Sequence, residues 1–156
     1  MELKEYQLRI LELLTVHEEG MSELYSIYSQ KFPTKNNLWS TLSQEEVTHA
    51  SWIRKLTDMV KGGTVYFNEG RFTVEALESS LRELQGEIAK AKGDIPLISA
   101  LSTGYYFEMA LLERKFYEVF EGDSVELKHL LVSLEEGTKQ HQDRIKEALN
   151  EERQKM

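Results

Sequence analysis

The sequence predicts an all-α protein: four long helices packed as a bundle, with a fifth helix in the connection between the second and third. Three observations carry that expectation. Apolar residues recur at three- and four-residue steps along most of the chain. The breaks between these stripes carry proline or glycine, as in Phe32-Pro33, Gly62-Gly63, Gly93-Asp94-Ile95-Pro96 and Gly122. Of the 156 residues, 40% are hydrophobic, enough to bury the core of one ordinary domain, taken here as 1–156.

The first helix is expected from about Leu3 to Lys31, on the stripe Leu11, Leu14, Met21, Tyr25, Tyr28 and Phe32. Phe32-Pro33 ends it, because the residue before proline avoids the helical region. The second runs from about Lys35 to Lys61 along Leu38, Leu42, Ile53, Leu56 and Val60, and stops at Gly62-Gly63. The segment Thr64 to Phe72 is too apolar for a loose linker and reads as an ordered connection packed on the bundle. Thr73 is a plausible N-cap for a third helix, Val74 to about Lys92, although Ala76 leaves the capping box incomplete. Pro96 sits near the start of a fourth, aromatic-rich helix expected to reach about Phe120, where its missing N–H costs nothing. Asp123-x-x-Glu126 resembles a capping box opening the last helix, whose stripe is Leu127, Leu131, Leu134, Ile145 and Leu149.

Composition removes several function classes. There is no cysteine, so neither disulfides nor thiolate ligands contribute, and any metal must sit on oxygen and imidazole. The net charge of −8, with both signs interspersed, argues against nucleic acid as a partner. The opening Met1-Glu2-Leu3-Lys4-Glu5 is too charged for a signal peptide, and no apolar run approaches a membrane span. The expectation is a soluble cytoplasmic protein.

Polar residues on the apolar stripes carry the functional information. Glu18 shares a face with Leu11, Leu14, Met21 and Tyr25, while Glu19 lies on the polar side and His17 at the edge. Glu46 and His49 sit one turn apart between Leu42 and Ile53, a spacing that offers an oxygen and a nitrogen in the same direction. Glu108 lies with Leu101, Gly104, Leu111 and Leu112, and Glu113 on a less defined face. His141 lines up with Leu134, Thr138 and Ile145. Three carboxylates facing one core repel each other unless a cation neutralises them. Oxygen and imidazole donors suit iron or manganese, and zinc competes by intrinsic affinity. The plainer reading is a bundle in which these groups bond each other and water, with some carboxylates protonated. His17 reads as an accessory or surface group. Tyr25, Tyr28 and Tyr105 read as core residues, one of which could hydrogen-bond a ligand.

The order and spacing of these pieces resemble the rubrerythrin-like branch of the ferritin-like superfamily over nearly the whole chain. The matching segments are Glu18 ahead of Glu23-Leu24-Tyr25, then Glu45-Glu46-Val47-Thr48-His49-Ala50, then Tyr106-Phe107-Glu108-Met109. The connection Val65 to Phe72, followed by a crossover helix, is similar to that of short members without a rubredoxin module. The resemblance implies a ferritin-like four-helix bundle with an extra helix in the crossover. It implies Glu18, Glu46, His49, Glu108 and His141 as metal ligands, with Glu46 or Glu108 bridging and one or two iron ions as cofactor. The family pattern has glutamate three residues before the last histidine, where this chain has Thr138, and a further glutamate where this chain has Leu111. The implied function is a non-haem oxidoreductase acting on peroxide, oxygen or ferrous iron, with a partly degenerate dinuclear site. It would need an external electron donor and would pair as a homodimer, with Val65 to Phe72 as a candidate contact. The alternative is a non-catalytic bundle with one structural metal or none; an iron-storage cage fits less well.

Overall fold

The computed structural model describes residues 3–67, 73–114, 120–122 and 124–156. Its fold is all-α. Helix α1 spans Leu3–Lys31, α2 Asn36–Lys61, α3 Val74–Ala91, α4 Leu97–Arg114 and α5 Val125–Gln154. A 3-10 turn, Pro33–Lys35, joins α1 to α2. The proline removes a donor and fixes the turn, so α2 begins one residue later than the stripe suggests. Gly63 adopts φ +77°, the left-handed region that glycine enters without steric cost, and turns the chain out of α2. The Thr73 hydroxyl accepts from the Ala76 N–H and caps α3 as expected.

Two expectations at the start of the last third are corrected. The fourth helix does not reach Phe120. Phe120–Glu121 form a short strand, β2, which pairs antiparallel with β1, Tyr66–Phe67, so that Tyr66 faces Glu121 and Phe67 faces Phe120. The apolar run through Phe116 and Tyr117 continued the helical pattern in sequence, but residues 115–119 lie outside the described residues. The N-cap of α5 is Ser124, whose hydroxyl accepts from the Leu127 N–H, rather than Asp123, which is also outside them. The ordered connection after α2 holds for its first part, since Val65 is buried and Tyr66–Phe67 are paired. Residues 68–72 of that expected connection and dimer contact lie outside the described set.

Side-chain pairs give the helix directions. Lys4 meets the Lys61 carbonyl and Ser22 meets Ser43, so α1 and α2 run antiparallel. Arg9 reaches Glu78, and Lys31 reaches the Gly93 carbonyl, so α3 runs parallel to α1. Glu45 meets Arg144 and Lys35 meets Glu151, so α5 runs antiparallel to α2, and it also packs along α4. Between α1 and α2 the two serines bond reciprocally: Ser22 Oγ donates to the Ser43 carbonyl at 2.9 Å, and Ser43 Oγ to the Ser22 carbonyl at 2.8 Å.

The core divides into two apolar clusters. One gathers Ile10, Leu11, Leu14, Ile53, Leu56 and Leu134; the other gathers Met21, Tyr25, Trp39, Leu42, Leu101 and Ile145. The chain passes between them on three helices with polar residues. Glu18 falls between Leu14 and Met21, Glu46 and His49 between Leu42 and Ile53, and Thr138 and His141 between Leu134 and Ile145. Glu108 follows Phe107 of the second cluster. A polar layer therefore lies between two apolar blocks, whose burial supplies the driving force for folding.

Candidate metal centre

Four helices contribute to the polar layer. Glu18 comes from α1, Glu46 and His49 from α2, Glu108 from α4 and His141 from α5, and all five are buried. The structure therefore brings together the five residues singled out in the sequence. Glu46 and His141 have no exposure at all.

His141 sits at the centre of the contacts. Its Nδ1 lies 2.8 Å from Glu46 Oε1 and 3.3 Å from Glu108 Oε1. Its Nε2 donates to Glu45 Oε1 at 3.0 Å, and Arg144 Nη2 donates to the same carboxylate oxygen at 2.9 Å. His49 Nδ1 lies 3.4 Å from Glu46 Oε2 and 3.7 Å from Glu18 Oε2. The two imidazoles stack, with centroids 4.7 Å apart and planes 22° apart, and Trp52 covers the His49 ring at 5.3 Å. The buried Tyr25 hydroxyl donates to Glu108 Oε1 at 2.8 Å.

The electrostatics follow from burial and crowding. Burial pushes the Glu46 carboxyl well above the usual carboxylate range, and the charges of Glu18 and Glu108 push it further. Burial also acts to raise Glu18, but hydrogen bonds with Glu46 and His49, and the charges of His49 and His17, bring it down to about 2. Burial disfavours the charged imidazoles. For His49, Glu18 and Glu46 outweigh it and raise the pKa to about 10; for His141, Glu108 and Glu46 raise it to about 11. Burial raises the Tyr25 phenol well above its ordinary value, aided by the Glu108 charge, so the hydroxyl stays a donor. Two imidazolium rings thus supply the positive charge that a bound cation would otherwise provide.

The donor set fits a metal ion. Glu46, His49 and His141 each offer a ligand atom, and these atoms all lie within 4.8 Å of one another. Glu18 Oε2, Glu46 Oε2 and Glu108 Oε2 are buried without a hydrogen-bond partner. Glu46 Oε2 and Glu18 Oε2 have only the His49 Nδ1 contacts at 3.4 and 3.7 Å, longer than good hydrogen bonds, so these oxygens keep acceptor capacity that a cation could use.

Thr138 is buried beside His141, but its hydroxyl donates to the Leu134 carbonyl at 2.9 Å and turns away from the layer. Glu135 and Glu136 are exposed, so neither replaces the missing carboxylate. The side chains at 111–114 are outside the described residues, which leaves Leu111, Leu112 and Glu113 without a structural account. His17 is not a surface group: it is buried, its Nε2 lies 3.1 Å from Ser80 Oγ on α3, and its ring meets Phe107 edge-on at 5.9 Å.

Sequence reasoning missed three participants. Glu45 and Arg144 sit at the half-exposed rim of the layer, where no stripe marks them. Gly137 was also passed over. A Cβ there would lie 2.5 Å from His49 Nε2, so only a bare backbone lets the ring approach α5. The one signal available was that Arg144 follows His141 by three residues and so shares its side of the helix. No helix among the described residues is long and apolar enough to cross a membrane. Compared with known protein families, curated proteins and solved structures, the chain matches none of them.

Proposed function

We propose that this chain is a ferritin-like, non-haem metal protein of the rubrerythrin-like kind that binds iron through Glu18, Glu46, His49, Glu108 and His141. We infer further that it acts as an oxidoreductase on peroxide, oxygen or ferrous iron. The observation that carries the reading is the convergence of five buried ligand-type side chains from four helices, three of them with a carboxylate oxygen that accepts no hydrogen bond. Oxygen with imidazole donors suits iron, and manganese or zinc can compete for the same atoms.

Bound iron would supply one-electron chemistry toward peroxide or dioxygen. The protein's own part is legible in its side chains. Glu45, braced by Arg144, accepts the Nε2 proton of His141 and thereby leaves Nδ1 facing the carboxylates. Tyr25 holds its proton toward Glu108 Oε1. The apolar blocks on either side keep bulk water from the ligands. The chain has no cysteine, so electrons would come from an external donor. Pairing as a homodimer belongs to the same reading.

A second reading, a non-catalytic bundle with one structural metal or none, is favoured by Thr138, whose hydroxyl serves its own helix. One experiment separates the two. The protein is reconstituted anaerobically with ferrous iron, its metal content is measured beside a His49→Ala variant, and peroxide consumption is followed with a chemical reductant. Iron retained by the wild type, lost in the variant, with peroxide consumed, supports the oxidoreductase. Iron bound without turnover favours the structural reading, and no iron bound overturns both metal-binding versions.

A further inference from the structure

We propose that the centre holds a single divalent cation, and that Gly137 and Thr138, adjacent on α5, make it a one-ion site. One ion presupposes the metal-binding reading above; the count and the two positions that set it are additional.

Two metal ions about 3.5–4 Å apart need separate donor sets joined by bridging carboxylates. Here α5 provides one donor only. Thr138 Oγ1 is committed to the Leu134 carbonyl at 2.9 Å, and the neighbouring Glu135 and Glu136 are exposed. The only α5 donor facing the layer is therefore His141 Nδ1, which already lies against Glu46 and Glu108.

Gly137 then determines where His49 goes. A Cβ at 137 would lie 2.5 Å from His49 Nε2, 3.0 Å from Cε1 and 3.5 Å from Cδ2. The ring rests on bare helix backbone and stacks on His141 at 4.7 Å. With Nε2 pressed toward α5, Nδ1 turns to Glu46 Oε2 and Glu18 Oε2. Both histidines are thereby drawn to one side, and with Glu46 they form the trio within 4.8 Å. Two imidazoles and a carboxylate are a donor set for one ferrous or other divalent ion, with positions left for further ligands. Glu18 and Glu108 border the trio, Glu18 Oε2 at 3.7 Å from His49 Nδ1 and Glu108 Oε1 at 3.3 Å from His141 Nδ1. A side chain at 137 would push the His49 ring off this position, and a carboxylate at 138 would add the bridge that a second ion lacks.

Manganese(II) is a direct probe, because its spin signal distinguishes an isolated ion from a coupled pair. Full-length wild type, Gly137→Ala and Thr138→Glu are equilibrated anaerobically with manganese(II); metal per chain is counted and the paramagnetic resonance spectrum recorded. The expected wild-type result is about one ion per chain, against two for a bridged pair, with the six-line signal of an isolated ion at full intensity. Gly137→Ala should remain folded by circular dichroism and bind at least about tenfold more weakly. Thr138→Glu should take up a second ion and lose six-line intensity through coupling. Two coupled ions in the wild type would overturn the one-ion centre while leaving metal binding intact. Wild-type affinity in folded Gly137→Ala would overturn the role of that glycine. No manganese on folded wild type would overturn the metal-binding reading itself. If Thr138→Glu does not fold, the wild-type count and the Gly137→Ala affinity still decide.

Discussion

The two halves of the polar layer are built from similar parts but held in different ways. On the α1–α2 side, Glu18, Glu46 and His49 form a complete carboxylate, carboxylate and imidazole set, yet His49 keeps its partners at 3.4 and 3.7 Å. On the α4–α5 side a carboxylate is missing at Thr138, yet His141 is gripped at both ring nitrogens, at 2.8, 3.0 and 3.3 Å. The half with more ligand-type residues is the looser one. The tight histidine acts as a fixed post, and the loose one rests on Gly137 and Trp52, with only longer contacts to the carboxylates.

That contrast can be broken most forcefully by removing each histidine in turn. His141→Ala strips Glu45 and Glu46 of a shared donor, and losing one partner of a buried charged pair costs about 3–5 kcal/mol. His49→Ala breaks longer contacts and should cost less, about 1–3 kcal/mol. Urea denaturation of both metal-free variants checks the order; equal losses would dissolve the distinction between the halves.

Titration sharpens it further. Folded His49 and His141 have pKa values of about 10 and 11, above the ordinary 6.5. Their contribution to apo-protein stability is therefore fully present below pH 6.5 and is lost as pH rises through 10 to 11. A metal must displace those protons, so the two histidines alone should make affinity climb with pH by about two log units per unit between pH 6 and 9. Proton release by calorimetry in two buffers measures it; a flat affinity would mean that the histidines are not ligands.

A smaller effect tests the post itself. Glu45→Gln keeps the shape but weakens the grip on His141 Nε2, and metal affinity should fall about 10–100-fold with little change in apo fold. Competition with a chromophoric chelator reads the change. Smallest of all is a test of the loose side. Replacing a helical glycine by alanine ordinarily gains about 1 kcal/mol. Gly137→Ala should realise that gain only in the His49→Ala background, and thermal melts of the double and single variants show whether the sign depends on the ring.

The same contrast explains what could be read from the sequence. Glu18, Glu46, His49, Glu108 and His141 stood out because a charged or ionisable group on an apolar helical stripe is costly and therefore conspicuous, and all five meet. Helix ends were legible where a residue enforces them, as at Pro33, Gly63 and Thr73. The end of α4 was not, because Phe116, Tyr117 and Phe120 prolong a helical pattern beyond the point at which the chain turns to strand pairing. Ser124 was passed over for Asp123 because both can cap a helix and differ by one position. Glu45, Arg144 and Gly137 were invisible for another reason. Their meaning lies in what a neighbouring helix places against them, and periodicity along one helix carries no information about the next.

The reciprocal serine pair between α1 and α2 has a mechanical consequence. Ser22 lies one turn beyond Glu18, and Ser43 one turn before Glu46. Each hydroxyl is seated on the other residue's carbonyl, so the two helices are doweled together beside the ligands. Sliding either helix by one turn, about 5.4 Å, would pull both pegs at once. The alignment of Glu18 with Glu46 and His49 is thus set by the scaffold, independently of anything the polar layer goes on to hold.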